Sequence, residues 1–224
     1  MTSLQHSPSF ADSLPPLHAN KTHLRSLLYD RLADVGLPPY PVLRSDAPFD
    51  TISPYVVGLE SLAQFGLVTI PDDGPAVLDF LELALTTRLR ELGILGKVRV
   101  RPLVPFAEGF DDCGTLGMAI FFGARETTHD GRPVVAVMVT TFLWQLAPDP
   151  GASSHFSTCS AKKGPSLTAP GMGTVFLVEP GDREKTFALA KDALLSIVDR
   201  AILSRLIETN PTAMQRVQSW AEWP

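Results

Sequence analysis

The sequence predicts an α+β fold with a mainly antiparallel sheet of about 4–5 strands, packed against a buried helix and a long C-terminal helix, with further helices near the N-terminus. Three observations predict this class. Two strongly apolar segments, residues 115–122 and 134–146, flank an Asp-Gly pair that is typical of a hairpin. Residues 75–92 are apolar around most of a helical circumference. A second helical pattern, from Asp182 to about Glu208, follows the last strand.

Composition favours one large folded unit. The chain has 224 residues, of which 45% are hydrophobic and 19% are charged. A chain of this length buries roughly 70% of the surface of its unfolded state, and its charged fraction is below the usual ~25%. Disorder over most of the chain is therefore excluded. Residues 1–19 are polar and rich in Ser and Pro, which predicts a flexible tail before a single α+β domain over residues 20–224.

Charge and targeting signals narrow the function classes. The formal net charge is −5 and no long basic block occurs, which argues against a nucleic-acid partner. No apolar run reaches the ~18 residues that span a bilayer, so no membrane partner is expected. The first residues lack the pattern of a signal peptide, and Cys113 and Cys159 are too few for a disulfide framework. A cytoplasmic location is predicted; whether the two cysteines are reactive or structural stays open.

The first helices are predicted from caps and breakers. Asn20 is a candidate N-cap for an amphipathic helix that ends at Gly36, and the proline-rich residues 37–53 form an irregular connector, whose role stays open. Ser53-Pro54 resembles an N-cap followed by proline at the first helical position, which predicts a short helix ending at Gly66. Residues 67–70 are then expected to form a short strand.

The remaining elements have clearer signals. Asp73-Gly74-Pro75 begins the buried helix, and Gly93 follows its end. Residues 97–101 alternate valine and cation, as in a half-exposed strand, and residues 174–178 form another strand. Asp182 caps the long helix, and Asn210-Pro211 ends it and begins a short helix that carries Trp220.

An acidic cluster with a cysteine precedes the first hairpin strand. It contains Glu108, Asp111, Asp112 and Cys113. One interpretation makes Cys113 a nucleophile, or one carboxylate a general base, because paired carboxylates raise one pKa towards neutral pH. Nearby acids, however, also raise the pKa of a thiol and disfavour the thiolate. The alternative is a solvated turn in which the aspartates bond to backbone N–H groups.

The long connection at residues 147–173 is the second candidate region. It lacks periodicity, and loops of this length are commonly functional or disordered. A functional interpretation has it covering a pocket, with His155 as acid or base and with Ser157, Lys162 and Lys163 contacting the substrate. The alternative is a surface loop in which the histidine is incidental.

Two further residues are candidate substrate contacts. Trp144 ends the more apolar hairpin strand, where its ring forms either a pocket wall or part of the core. Arg101 belongs to a cationic stripe with Lys97 and Arg99, which either binds an anion or protects an edge strand from aggregation. The histidines are scattered without metal-ligand spacing, so no metal is predicted, and no cofactor fingerprint is found.

Three function classes remain. The favoured one is a small-molecule enzyme without a recognisable cofactor, an isomerase, cyclase or hydrolase acting on a largely apolar substrate. The second is a ligand-binding module with the same pocket and no chemistry. The third is an interaction subunit, in which the hydrophobic excess forms a homodimer or a heteromeric interface. The sequence does not decide whether the protein is an enzyme.

Overall fold

A five-stranded sheet is covered on one face by helices. The structure is a computed structural model that describes residues 14–19, 49–70, 73–101, 115–145, 173–202, 206 and 210–222. The strands are β1 (Thr51–Val57), β2 (Arg99–Val100), β3 (Thr115–His129), β4 (Arg132–Gln145) and β5 (Gly173–Val178). The helices are α1 (Leu59–Ala63), α2 (Asp73–Glu91), α3 (Arg183–Ile197) and α4 (Pro211–Glu222), with a 3₁₀ turn at Leu17–Ala19 and a π-helical turn at Val198–Ile202.

The sheet is mixed, with the order β2-β1-β3-β4-β5. Strand β1 runs parallel to both β2 and β3, whereas β3, β4 and β5 pair antiparallel. The α+β class is confirmed, but the prediction of a mainly antiparallel sheet is wrong. The chain passes from β1 to β2 through α1 and α2, and a crossover through helices returns the chain in the parallel direction.

Strand β1 replaces the helix predicted to begin at Ser53-Pro54. Both residues lie inside the strand, where Ser53 pairs with Gly117 and Pro54 with Met118. The carbonyl of Ile52 faces β2, since it accepts the backbone N–H of Arg101 at 2.9 Å. Because successive residues alternate sides, Pro54 also faces β2, where pairing has already ended at Val100. Its missing N–H therefore removes no hydrogen bond to β3.

A short helix does follow β1, but later than expected. It begins after Gly58, whose φ is 86°, and a Cβ there would clash with the carbonyl oxygen of Phe122, so glycine is required. The strand predicted at residues 67–70 is absent: Leu67 and Val68 are buried in irregular backbone, and the Thr69 N–H donates to the Asp73 carboxylate.

Several predictions from local signals are confirmed. Helix α2 begins at Asp73 and is followed by Gly93 with a φ of 72°. The β3–β4 hairpin turns at Asp130 and Gly131, with φ values of 50° and 74°, as a type I′ turn requires. The Asp182 carboxylate accepts the Lys185 N–H at 3.1 Å and caps α3. The helix predicted to reach Glu208 changes to π-helical geometry at Val198.

The core lies between one sheet face and the helices. The sheet contributes residues such as Ile52, Met118, Ile120, Val135, Val137 and Val139, each almost inaccessible to solvent. Helix α2 adds Phe80, Leu81, Ala84, Leu85 and Leu89, and α3 adds Ala190, Leu194 and Ile197. The helix predicted from Asn20 to Gly36 lies outside the described residues. The predicted division into a tail and one domain stays a prediction.

Candidate functional site

Most predicted site residues lie outside the described part of the chain. These are Glu108, Asp111, Asp112, Cys113, His155, Ser157, Cys159, Lys162 and Lys163. Two predicted substrate contacts, Arg101 and Trp144, are on described backbone, and Arg101 is exposed. The strands that flank the two loops are the described part of this candidate site.

One row across the sheet contains both described candidates. Ser53 pairs with Gly117, and Gly117 pairs with Trp144 on its other side. Arg101 follows β2 directly, and its N–H bonds to the carbonyl of Ile52, the residue before Ser53. The row thus runs from Arg101 through Ser53 and Gly117 to Trp144. These positions lie on the second face of the sheet, which points away from α2 and α3.

Small residues occupy the middle of this second face. Thr51 is 6% exposed, Ser53 is 4% exposed and Ala119 is fully buried. Thr51 Oγ1 donates to Asp50 Oδ1 at 2.7 Å. The next residue on this face of β1 is Tyr55, whose pKa is raised because burial disfavours the phenolate. The second face therefore combines buried hydroxyl groups with a neutral phenol.

Cations line one end of that row. Arg99 pairs with Thr51 in the register, and its guanidinium bonds to Asp50 at 3.2 Å in a solvent-exposed ion pair. Lys97 and Arg101 are also exposed. This arrangement is compatible with anion binding and with edge protection alike, so both interpretations of the stripe remain.

The two predicted loops are attached to the same end of the sheet. The acidic cluster ends two residues before Thr115, the first residue of β3, and the long connection begins two residues after Gln145, the last residue of β4. Leu116 and Gln145 are paired across the β3–β4 ladder. The residues that anchor the two loops are therefore direct neighbours, although they are distant in sequence.

A buried arginine is the centre of a polar cluster in the helical layer. Arg88 on α2 is 1% exposed and bonds to Asp199 in the π-helical turn and to Glu91. Burial by itself lowers the pKa of Arg88, but the hydrogen bond and charge of Asp199, together with Glu91, outweigh it and raise the pKa above its usual value. A permanently charged group with satisfied donors suits structural anchoring, not proton transfer. The three-residue spacing of Arg88 and Glu91 is a weak sequence signal for this cluster. Nothing in the sequence indicates that Asp199 belongs to it.

Apolar side chains are exposed on the second face towards β5. Met138 is 45% exposed and Val175, its neighbour in the β4–β5 register, is 64% exposed. Within the described residues, β5 is an edge strand that contains neither charge nor proline. Such an edge lacks the usual protection against pairing with another strand.

Comparisons with known proteins are sparse. No protein-family model matches the chain, and no curated protein matches it significantly. Among solved structures, the chain has a likeness to a dodecamer of a PelC variant from Paraburkholderia phytofirmans, at 16% sequence identity and a TM-score of 0.32. The match covers 69% of this chain and 89% of that one. A TM-score this low does not establish a shared fold.

Within the described residues, none of the helices is both long and apolar enough to cross a membrane. In the same ranges, no three His, Cys, Asp or Glu side chains lie together in a way that would hold a metal ion.

Proposed function

We propose that this protein binds a small, largely apolar molecule at the end of the sheet where β3 begins and β4 ends, and acts on it as an isomerase, cyclase or hydrolase without a resident cofactor. The observation that supports this is the pairing of Leu116 with Gln145, which makes the anchors of both predicted loops neighbours. A cytoplasmic location and the absence of a nucleic-acid or membrane partner belong to the same proposal.

Chain length supports different roles for the two loops. Cys113 precedes Thr115 by two residues, so connectivity alone keeps the two within about 7 Å. We propose Cys113, Asp111 and Asp112 as the nucleophile or general base of this site. His155 follows Gln145 by ten residues and can lie up to about 36 Å away, so its role as acid or base depends on how the connection folds.

The proposed substrate contacts follow the same geometry. Arg101 and Trp144 occupy positions in the row of Ser53 and Gly117, so a ligand that lies along this row would span the positions of both proposed contacts. The residues between them, Ser53 and Gly117, are small and buried. The remaining proposed substrate contacts are Ser157, Lys162 and Lys163, which belong to the connection that we propose covers the pocket.

Binding of anilinonaphthalene sulfonate, an apolar anion, tests the proposed pocket. We expect Arg101→Ala to weaken binding at least about fivefold, because a lost charge contact is worth about 1 kcal/mol or more. Arg90→Ala is the matched control, since Arg90 is an exposed arginine on α2, away from the second face. Equal affinities of the two variants would argue against a pocket in this row.

Hydrolysis of p-nitrophenyl butyrate separates the hydrolase from a pure binding module. We expect Cys113→Ala and His155→Ala to abolish hydrolysis while leaving dye binding intact. If the wild type binds the dye and does not hydrolyse the ester, the hydrolase branch fails and the binding module gains support.

A second candidate function is an interaction subunit that self-associates through the second face and edge of β5. The exposed pair Met138 and Val175 supports it, and a strand without charges can pair with its own copy across a two-fold axis without repulsion. Sedimentation velocity tests it with Met138→Lys against Leu83→Lys, since Leu83 is comparably exposed on α2. Loss of a dimer in the first variant alone would support this candidate; a monomeric wild type would exclude it.

A further inference from the structure

Residues 14–19, which we call the N-terminal strap, are packed onto the helical layer. Leu17 is 3% exposed and belongs to the main core. The carbonyl of Pro15 accepts a hydrogen bond from Arg88 Nη1 at 2.8 Å, and the N–H of Leu17 donates to Glu91 Oε1 at 3.3 Å. The ring of His18 lies 5.9 Å from that of Trp220 on α4. One buried side chain and two backbone hydrogen bonds thus hold the strap.

The groups that receive the strap are oriented by other contacts. Asp199 accepts hydrogen bonds from Arg88 Nε at 2.7 Å and from Nη2 at 3.1 Å. Glu91 Oε2 accepts another from Arg88 Nη1 at 2.9 Å. The guanidinium therefore keeps its position on α2 whether or not the strap is present. A preorganised donor and acceptor reduce the entropy that a peptide loses on binding.

The strap has the properties of a linear peptide ligand. Pro15 and Pro16 restrict its backbone before binding, which lowers the entropy lost on ordering. Both prolines lack an N–H, so the segment buries fewer backbone donors that would need partners. The strap is recognised through one carbonyl, one N–H and one leucine. All three belong to a short stretch of chain, so a peptide of that stretch contains every group that is needed.

We propose that the strap-binding surface, formed by Arg88 and Glu91 on α2 with Trp220 on α4, is a peptide-docking site, and that the strap of a second copy can replace the chain's own. In the closed form the strap binds its own chain, and in the exchanged form it binds a second copy. Both forms use identical contacts, so the balance between them depends mainly on the effective concentration of the chain's own strap compared with the concentration of other copies. The 29 residues from 20 to 48 join the strap to Phe49 and have a contour length of up to about 100 Å. That length is sufficient to reach a neighbouring copy.

The first test uses the full chain with a protease recognition sequence inserted after Gly36. After cleavage, we expect the N-terminal fragment to stay bound at high protein concentration. On dilution, it should dissociate. A fluorescently labelled peptide of residues 12–20 should then occupy the released site saturably. The same peptide with Leu17→Ala should bind at least about tenfold more weakly, as expected for the loss of a buried leucine. A scrambled peptide of equal composition is the control.

The second test measures exchange in the uncut chain. We expect concentrated protein to form a dimer fraction on gel filtration that added strap peptide suppresses and the Leu17→Ala peptide does not. Met138→Lys should leave this dimer intact, which distinguishes it from self-association through β5. Equal binding of the native and scrambled peptides would overturn the docking site. A dimer that ignores the peptide, or no dimer at all, would overturn the exchange.

Discussion

The guanidinium of Arg88 and the carboxylate of Asp199 meet in a two-bond pair, with Nε–Oδ1 at 2.7 Å and Nη2–Oδ2 at 3.1 Å. Their side chains are 2% and 13% exposed. The pair joins the last turn of α2 to the π-helical turn that follows α3, two segments that no local sequence pattern connects. Because both charges are shielded from water, each depends on the other for compensation.

Removing one member of this pair should destabilise the fold strongly. We expect Asp199→Ala to lower the free energy of unfolding by about 3–5 kcal/mol, since it leaves a buried guanidinium partly uncompensated. The double variant Arg88→Met/Asp199→Leu should lose less than Asp199→Ala, because it removes both charges of the pair and leaves only the carboxylate of Glu91, which is 20% exposed, without its arginine partner. Urea titration measures both.

The exposed pair Arg99–Asp50 is the control for that experiment, with side chains 70% and 57% exposed. Arg99→Ala should change the free energy of unfolding by less than about 1 kcal/mol. Similar losses for Asp199→Ala and Arg99→Ala would contradict the assignment of Arg88 as a buried anchor.

Tyr55 should make stability fall at high pH. Its pKa is raised by burial, so above about pH 10 the folded state keeps a proton that the unfolded state has lost. The free energy of unfolding therefore decreases as the pH rises from about 10 towards the folded-state pKa. Tyr55→Phe lacks this titration, so its stability relative to wild type should improve between about pH 9 and pH 11.

Denaturant titration at a series of pH values gives this difference. Lysines titrate in the same range, but they are common to both proteins and cancel. A constant difference between wild type and Tyr55→Phe across that range would show that Tyr55 ionises equally well in the folded and unfolded states.

The features predicted correctly from sequence depend on local chemistry. The type I′ turn needs only Asp130-Gly131 between apolar strands, and the cap at Asp182 needs only a carboxylate within reach of the Lys185 N–H. Helix α2 is marked at both ends by its own residues. In each case the interacting groups are close in sequence, so the local sequence pattern is sufficient to predict the structure.

The features that sequence analysis missed depend on distant partners. Ser53-Pro54 has the local form of a helix start, but β1 is determined by its neighbours β2 and β3, which come much later in the chain. The proline is tolerated because the side it faces has no further pairing with β2. The Arg88–Asp199 pair and the neighbouring loop anchors at Leu116 and Gln145 are likewise products of the fold.

Asp73 should contribute to stability through two contacts at the start of α2. Its carboxylate is mostly buried; it accepts the N–H of Thr69 and bonds to Arg183 Nη2 at 3.0 Å. We expect Asp73→Ala to lower the free energy of unfolding by about 2 kcal/mol, since the hydrogen bonds that Thr69 and Arg183 donate to the charged carboxylate are both lost. Asp73→Asn should lose about 1 kcal/mol, because the amide oxygen still accepts from Thr69 while the charge is gone.

Salt provides an independent check on Asp73. Arg183 is 48% exposed, so its attraction to Asp73 should be partly screened. The difference between wild type and Asp73→Asn should therefore shrink in concentrated sodium chloride, whereas the loss in Asp73→Ala should persist in part. A salt-independent difference for Asp73→Asn would mean that the charge of Asp73 contributes nothing.

Two glycines should respond to alanine in opposite directions. Gly131 has a φ of 74°, where a side chain is strained, and a Cβ added there would meet no atom within 4 Å. The effect of Gly131→Ala is therefore that of the backbone alone, and we expect a loss of about 1 kcal/mol. Gly74 lies in the first turn of α2, and its added Cβ would make an ordinary contact with Leu59 at 3.6 Å. We expect Gly74→Ala to gain about 0.5–1 kcal/mol, because it restricts the unfolded chain and favours the helix.

The two substitutions control each other, since each adds one methyl group to a glycine without creating a clash. Thermal unfolding should show a lower Tm for Gly131→Ala and a higher Tm for Gly74→Ala. Shifts of the same sign would mean that the added methyl group, not the backbone conformation, determines stability at these positions. A further variant, Gly131→Asn, should recover part of the loss, because asparagine tolerates left-handed backbone better than alanine does.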